Sequence, residues 1–415
     1  MRPRRCRGGA AGTLGAALLI LGAAGRPLTA QESLPRLTFA GTGLVSFNFN
    51  AATGFGPTSV PGTDFGTVND FSDSFLLVRL DRQLFENDRA GMVIGFLFPD
   101  SEADLGDVFF NQVHVFYNSR IFGGRLGRTR LSNFLLEFPT VREEDLIEYG
   151  FVDNAFSDAD NSEFSRYGNV VRAELFQFNS RLVLAGQAAN WTVTDSAGQK
   201  LDDFNVNAVS GSLVYRLPPA LRFQGLVRQV GIQVVSQNVD LDRKNWMSSL
   251  LGSMALNLSR NPLRNVEFRA QSLYNFGIDS GAEGAERERF QSALSTRSGR
   301  ARAEALALVG SLRVLRRPYQ LERFQAALTA AYKNYVGLDG SQFAVVPNVF
   351  FQIGQGVDVG LQYRYEQFDD ALAEQTGRKR DHSVQLTLAF RFQMMFNDYF
   401  GERDDILNLE HGYIP

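Results

Sequence analysis

The sequence predicts an all-β fold: a transmembrane antiparallel β-barrel of about sixteen strands. Three observations predict it. Apolar and polar residues alternate again and again after residue 35, the period that sends successive side chains to opposite faces of a strand. Most of the alternating segments run 10–15 residues. An ordinary strand has about five or six residues, whereas a tilted strand crossing a bilayer takes about 9–11. Finally, the connections alternate long and short, as they do when tight turns occupy one rim of a barrel and longer loops the other.

Taken in order, residues 1–30 read as an export signal. Arg2, Arg4, Arg5 and Arg7 form a basic start, Leu14–Ala24 a short apolar core, and Leu28-Thr29-Ala30 a small-residue cleavage pattern. The core is too short to span a bilayer, which needs about twenty apolar residues. Loss of this segment removes the single Cys, Cys6, and five arginines, so the net charge falls from −3 to −8. An acidic, cysteine-free remainder excludes a disulfide framework, a cysteine metal site and a nucleic-acid partner recognised by bulk basic charge. Mean hydropathy of −0.16 argues against a bundle of membrane helices. It suits a barrel, in which lumen and lipid faces average out.

The barrel is expected over residues 31–400. Sixteen segments carry the alternation: 36–50, 71–85, 90–99, 108–118, 122–131, 163–176, 181–191, 203–217, 222–235, 245–259, 264–276, 302–315, 321–335, 342–353, 357–368 and 381–395. In the first, Leu37, Phe39, Val45, Phe47 and Phe49 share a face. In the eleventh, Val266, Phe268, Ala270, Tyr274 and Phe276 oppose Glu267, Arg269, Gln271 and Asn275. In the last, Val384, Leu386, Leu388, Phe390, Phe392 and Met394 alternate with polar residues. Segments 122–131 and 302–315 are the least regular, and 286–299 is a further candidate strand. Pro347 removes a ladder donor and marks a local weakness. Short connections are 86–89, 119–121, 177–180, 218–221, 260–263, 316–320 and 354–356. Long ones are 51–70, 100–107, 132–162, 192–202, 236–244, 277–301, 336–341 and 369–380. A soluble sandwich is the competing architecture, but its strands are usually shorter. The tail 401–415 is expected to be periplasmic.

With these features, residues 36–396 resemble the bacterial outer-membrane porins. The resemblance rests on the signal segment, the sixteen amphipathic segments, the longest loop after the fifth segment, and the aromatic-rich last strand Val384–Phe396. Phosphate-selective and DcaP-like porins are plausible relatives. The resemblance implies an outer-membrane homotrimer that passes small hydrophilic solutes by diffusion, and a third long loop folded into the lumen. The alternatives are a substrate-selective channel for small anions or carboxylates, and a structural or docking barrel.

A channel of this kind selects by pore radius and rings of charge. Loop 132–162 carries Glu137, Glu143, Glu144, Asp145 and Glu148 among its acids against a single Arg142. Its Leu135, Leu136, Phe138, Leu146, Ile147, Phe151 and Phe156 are suited to pin it to the inner wall. Basic residues expected on the wall are Arg79, Arg128, Arg130, Arg172, Arg269, Arg313, Arg364 and Arg391. A charge on the lipid face costs roughly 2–4 kcal/mol at the midplane, so the wall charges are expected to face the lumen. Tyr117, Trp191, Tyr215, Trp246, Tyr274, Tyr332, Tyr363 and Tyr365 suit interfacial girdles. With three His and no nucleophile, phosphate-loop or zinc motif, no enzymatic activity and no cofactor are expected. Acidic clusters at Asp100–Asp107 and Asp158–Glu163 suggest divalent ions only weakly, since no full ligand-loop spacing occurs.

Overall fold

The computed structural model describes residues 35–54, 62–70, 75–85, 88–97, 109–130, 136, 138, 167–190, 206, 208–217, 225–238, 246–259, 261, 264–276, 304–316, 324–336, 340–354 and 356–396. The expected signal, the tail and the 286–299 candidate strand lie outside these residues. So do all of loop 132–162 except Leu136 and Phe138.

Among the described residues seventeen strands follow one another: β1 (Arg36–Gly54), β2 (Gly62–Asp70), β3 (Phe75–Phe85), β4 (Asp88–Leu97), β5 (Phe109–Asn118) and β6 (Phe122–Arg130). Next come β7 (Tyr167–Gln177), β8 (Leu182–Asn190), β9 (Ala208–Arg216), β10 (Val227–Asn238), β11 (Trp246–Asn257) and β12 (Arg264–Phe276). The last are β13 (Ala305–Arg316), β14 (Phe324–Tyr335), β15 (Gly340–Gly354), β16 (Val357–Phe368) and β17 (Arg378–Phe396). All pairings are antiparallel neighbours. β2 and β3 both pair with β1, one above the other, so they form a single stave. β17 pairs with β1 from Leu37↔Phe396 to Gly54↔Arg378. Sixteen staves therefore form a cycle of pairings. Such a cycle satisfies backbone donors and acceptors without a free edge, which is what makes a barrel tolerable in hydrocarbon.

All sixteen expected segments are strands, including the two least regular, now β6 and β13. The 51–70 connection differs: β1 continues to Gly54 and residues 62–70 add β2. The connection before β17 holds a helix, α1 (Asp370–Thr376). Asp369 caps it by accepting a 2.9 Å bond from the Leu372 N–H, and Gly377 ends it at φ 67°. Leu372 and Ala373 pack with Ala305, Tyr335 and Phe368 and anchor α1 to the long-loop rim. Pro347 leaves β15 intact, but the ladder to β16 skips from Val345↔Tyr365 to Asn348↔Gln362. The weakness expected at the proline falls in that gap.

The two faces are inverted relative to a water-soluble protein. On β13, Ala305, Ala307, Val309, Ser311, Arg313 and Leu315 point inward and are buried. Leu306, Leu308, Leu312 and Val314 point outward and are exposed. The same division holds on β12 and β14. Exposed leucine and valine outside, with buried arginine, glutamate and glutamine inside, is the pattern of a barrel whose solvent is lipid.

Candidate pore interior

The inner wall carries its charge as acids held by more than one arginine. Glu267 on β12 is fully buried and bonds Arg228 at 2.5 Å, Arg269 at 2.7 Å and Arg313 at 2.7 Å. Arg269 comes from the same strand two residues on, because alternation returns it to the same face. Arg313 comes from β13, where the register sets Glu267 directly opposite it. Arg228 arrives differently. By alternation it belongs outside with Val230 and Ile232, but a bulge between Val227 and Gln229 turns it inward. This hub lies near the short-turn rim.

Two further acids repeat the motif. Asp81 on β3 accepts from Arg36 at 3.1 and 3.0 Å and lies 3.3 Å from Arg79. The Arg79 guanidinium stacks 4.6 Å over the Phe116 ring. On β17, Asp381 lies 3.5 Å from Arg364 and 3.4 Å from Arg378. A fourth pair, Arg172–Glu174 on β7, lies 2.5 Å apart and is more open. Its side chains keep 23% and 18% of their surface, against 0–6% for Glu267, Arg269 and Arg313.

Two residues of the third long loop reach this wall. The Leu136 N–H donates to Gln271 Oε1 at 3.3 Å, and Leu136 is buried. Phe138 packs on Val309, Ala331, Ala344 and Val346, all inward positions of β13 to β15. Gln271 and Val309 stand near mid-strand, so the loop enters the barrel and leans on one side of it at about half depth. The inward-folded loop expected from sequence is present at these two points. Glu137, Arg142, Glu143, Glu144, Asp145 and Glu148 lie outside the described residues.

Of the basic residues expected on the wall, Arg79, Arg172, Arg269, Arg313 and Arg364 face inward. Arg128 does not. It pairs with Val113 and Asn169, and its face is that of exposed Leu126 and Val171. The expectation for Arg128 is corrected: it stands on the outer surface. There, close to the end of β6, an outward charge costs about 0–1 kcal/mol rather than the midplane amount. Arg125, not Arg128, is the inward arginine of this strand, opposite Phe116 and Arg172. Arg130 pairs with Tyr167. Arg391 pairs with Thr42. The side chains of Arg130 and Arg391 lie outside what the structure describes.

Sequence reasoning missed Arg36 and Arg228. Arg36 opens the first alternating segment, and only pairing with β3 brings it to Asp81. Arg228 has no local signal at all, since the bulge reverses its parity. Among the described residues no group of three or more potential metal ligands gathers.

No protein-family model and no curated protein sequence matches the chain. Solved structures do match its fold. The anion-selective porin from Comamonas acidovorans superposes with a TM-score of 0.55 at 12% identity, covering 86% of this chain and 100% of that one. The outer membrane channel DcaP of Acinetobacter baumannii gives 0.54 at 12% identity, with 88% and 100% covered. OmpF of Salmonella typhi, in complex with daunomycin, gives 0.55 at 10% identity, with 86% and 97% covered. The chain has the fold of the bacterial outer-membrane porins.

Proposed function

We propose that the chain is an exported outer-membrane porin, acting as a homotrimer in outer-membrane lipid and passing small hydrophilic solutes by diffusion. The observation that carries this reading is a polar, charged interior inside an apolar exterior, with a loop docked at half depth. Because the loop leans on β12 to β15, the open path runs along the opposite wall. There Arg172 and Glu174 remain partly exposed while the Glu267 hub is buried. Residues 137–148 of the loop supply acids toward that path, and the wall supplies arginines.

A second reading, a channel preferring small anions or carboxylates, is favoured by the stoichiometry of the wall. Glu267 is outnumbered three to one by arginines, and Asp81 and Asp381 two to one. Inward-facing arginines raise the local concentration of anions.

Cysteine accessibility tests the path. With residues 1–30 removed, the chain holds no cysteine, so a single introduced thiol reports without background. In Arg172→Cys, a water-soluble charged thiol reagent is expected to reduce single-channel current within seconds. In Arg313→Cys it is expected to leave the current unchanged. Equal reaction at both positions, or no reaction at Arg172→Cys, contradicts the proposed path.

A further inference from the structure

We propose that the platform formed by the β5–β6 and β7–β8 turns docks the chain's own C-terminal segment, residues 404–410. Both turns stand at the short-turn rim. β17 also ends there, since Phe396 pairs with Leu37 at the start of β1. Ile121 immediately precedes β6 and Phe178 immediately follows β7. They are the two most exposed large apolar side chains among the described residues, at 64% and 76%. Neither continues an outward column. By alternation Ile121 goes with inward Gly123 and Arg125, and Phe178 with inward Glu174 and Phe176.

The two turns are tied to each other. The Phe176 N–H donates to the Ile121 carbonyl at 2.9 Å, and Arg120 Nη2 donates to Asn179 Oδ1 at 3.2 Å. Ser119 Oγ accepts from the Phe122 N–H at 3.0 Å and fixes the first turn. Phe178, Asn179 and Ser180 lie at φ 53°, 57° and 62°, a region that bulky side chains above all seldom occupy. Three such residues in a row, with an aromatic ring held out to solvent, point to a contact surface. A surface fixed in advance loses little freedom when a partner binds.

Charge and chain length select the occupant. Arg120, Arg181 and Arg216 are exposed on the same turns, the Arg216 N–H donating to the Arg181 carbonyl at 2.7 Å. The acids of β4 to β9 are Asp88 and Glu174, bonded to Tyr117 and Arg172. The three arginines are thus left without a carboxylate partner among the described residues. The other exposed arginines of this rim among the described residues, Arg82, Arg264 and Arg316, share outward faces with Leu84, Val266 and Val314. In the segment 404–410, Asp404, Asp405 and Glu410 bracket Ile406, Leu407 and Leu409. That order complements two apolar side chains among three arginines. From Phe396 to Leu407 the extended chain reaches roughly 36 Å, whereas five strand spacings along the rim from β17 to β6 cover roughly 24 Å. The docked segment lies at the short-turn mouth of the path proposed along Arg172 and Glu174 and carries its acids there.

Disulfide trapping in the protein expressed from residue 31, which holds no cysteine, tests this. Ile121→Cys/Leu407→Cys is compared with Asn261→Cys/Leu407→Cys under copper phenanthroline. Asn261 is an exposed turn residue of the same rim, a comparable distance from β17 in the other direction. The tether is the same in both variants, so a difference in rate reports docking rather than proximity along the chain. Only barrels that remain folded on an unheated gel are scored. The Ile121 pair is expected to close within one chain and roughly tenfold or more faster than the Asn261 pair. Adding Arg120→Gln/Arg181→Gln/Arg216→Gln is expected to slow it roughly tenfold. Equal rates at the two positions, a disulfide that joins two chains, or a rate indifferent to the three arginines overturns the proposal.

Discussion

Glu267→Gln removes the one negative charge among three arginines. All three contacts are close, at 2.5, 2.7 and 2.7 Å, and both Glu267 and Arg313 are without exposed side-chain surface. Water cannot replace the lost partner there. Removing one member of a buried ion pair typically costs about 3–5 kcal/mol, because the remaining charge is stranded. Glu174→Gln is the internal comparison: its single partner Arg172 is partly open to solvent, and exposed pairs are worth about 0–1 kcal/mol. The assay is urea unfolding in lipid vesicles, followed by fluorescence of the two tryptophans, Trp191 and Trp246. With a slope of roughly 3 kcal/mol per molar urea, the midpoint drops by roughly 1–1.7 M for Glu267→Gln and by at most roughly 0.3 M for Glu174→Gln. The double variant Glu267→Gln/Arg313→Gln recovers part of the loss, since it removes the most buried of the stranded charges. Equal shifts for the two single variants would falsify the claim that the hub is dry and structural.

Three further outcomes follow from the same geometry. Phe138→Ala takes the loop's ring off Val309, Ala331, Ala344 and Val346, so single-channel conductance rises and becomes noisier; an unchanged current counts against loop docking. Gly127→Ala places a side chain at φ 127°, with its Cβ 2.5 Å from the Val113 carbonyl oxygen. It is expected to destabilise the barrel by more than about 1 kcal/mol, read as a lower temperature for the folded-to-unfolded shift on an unheated gel. Neutralising Glu143, Glu144 and Asp145 together moves the reversal potential toward anions, and no movement argues that these acids lie away from the path.

The strands were legible because lipid and lumen impose opposite demands on neighbouring residues, and that conflict is written at every second position. Even Gly-rich Phe122–Arg130 kept enough of the pattern. β2 was not legible: in GTDFGTVND only Phe65 and Val68 are large and apolar, and its strand form comes from pairing with β1. α1 was hidden for a similar reason. Seven residues are too few to hold a helix alone, and it stands on the Asp369 cap and on Leu372 packing. The site was half legible. Which acids and bases face inward follows from parity, as Arg79, Glu267 and Arg313 demonstrate. Who pairs with whom is set by register across 39 or 45 residues of chain, as with Arg228–Glu267 and Arg36–Asp81. Arg128 shows the limit: glycines flank its strand's alternation, and only Phe122 and Leu126 mark the outward face.

The most direct measurement is planar-bilayer recording of the mature protein across a tenfold salt gradient. A water-filled channel with arginine-rich walls gives discrete conductance steps and a reversal potential displaced toward the anion equilibrium value. Absence of steps at every salt concentration contradicts the pore, and steps with cation preference contradict the anion preference drawn from its inward arginines.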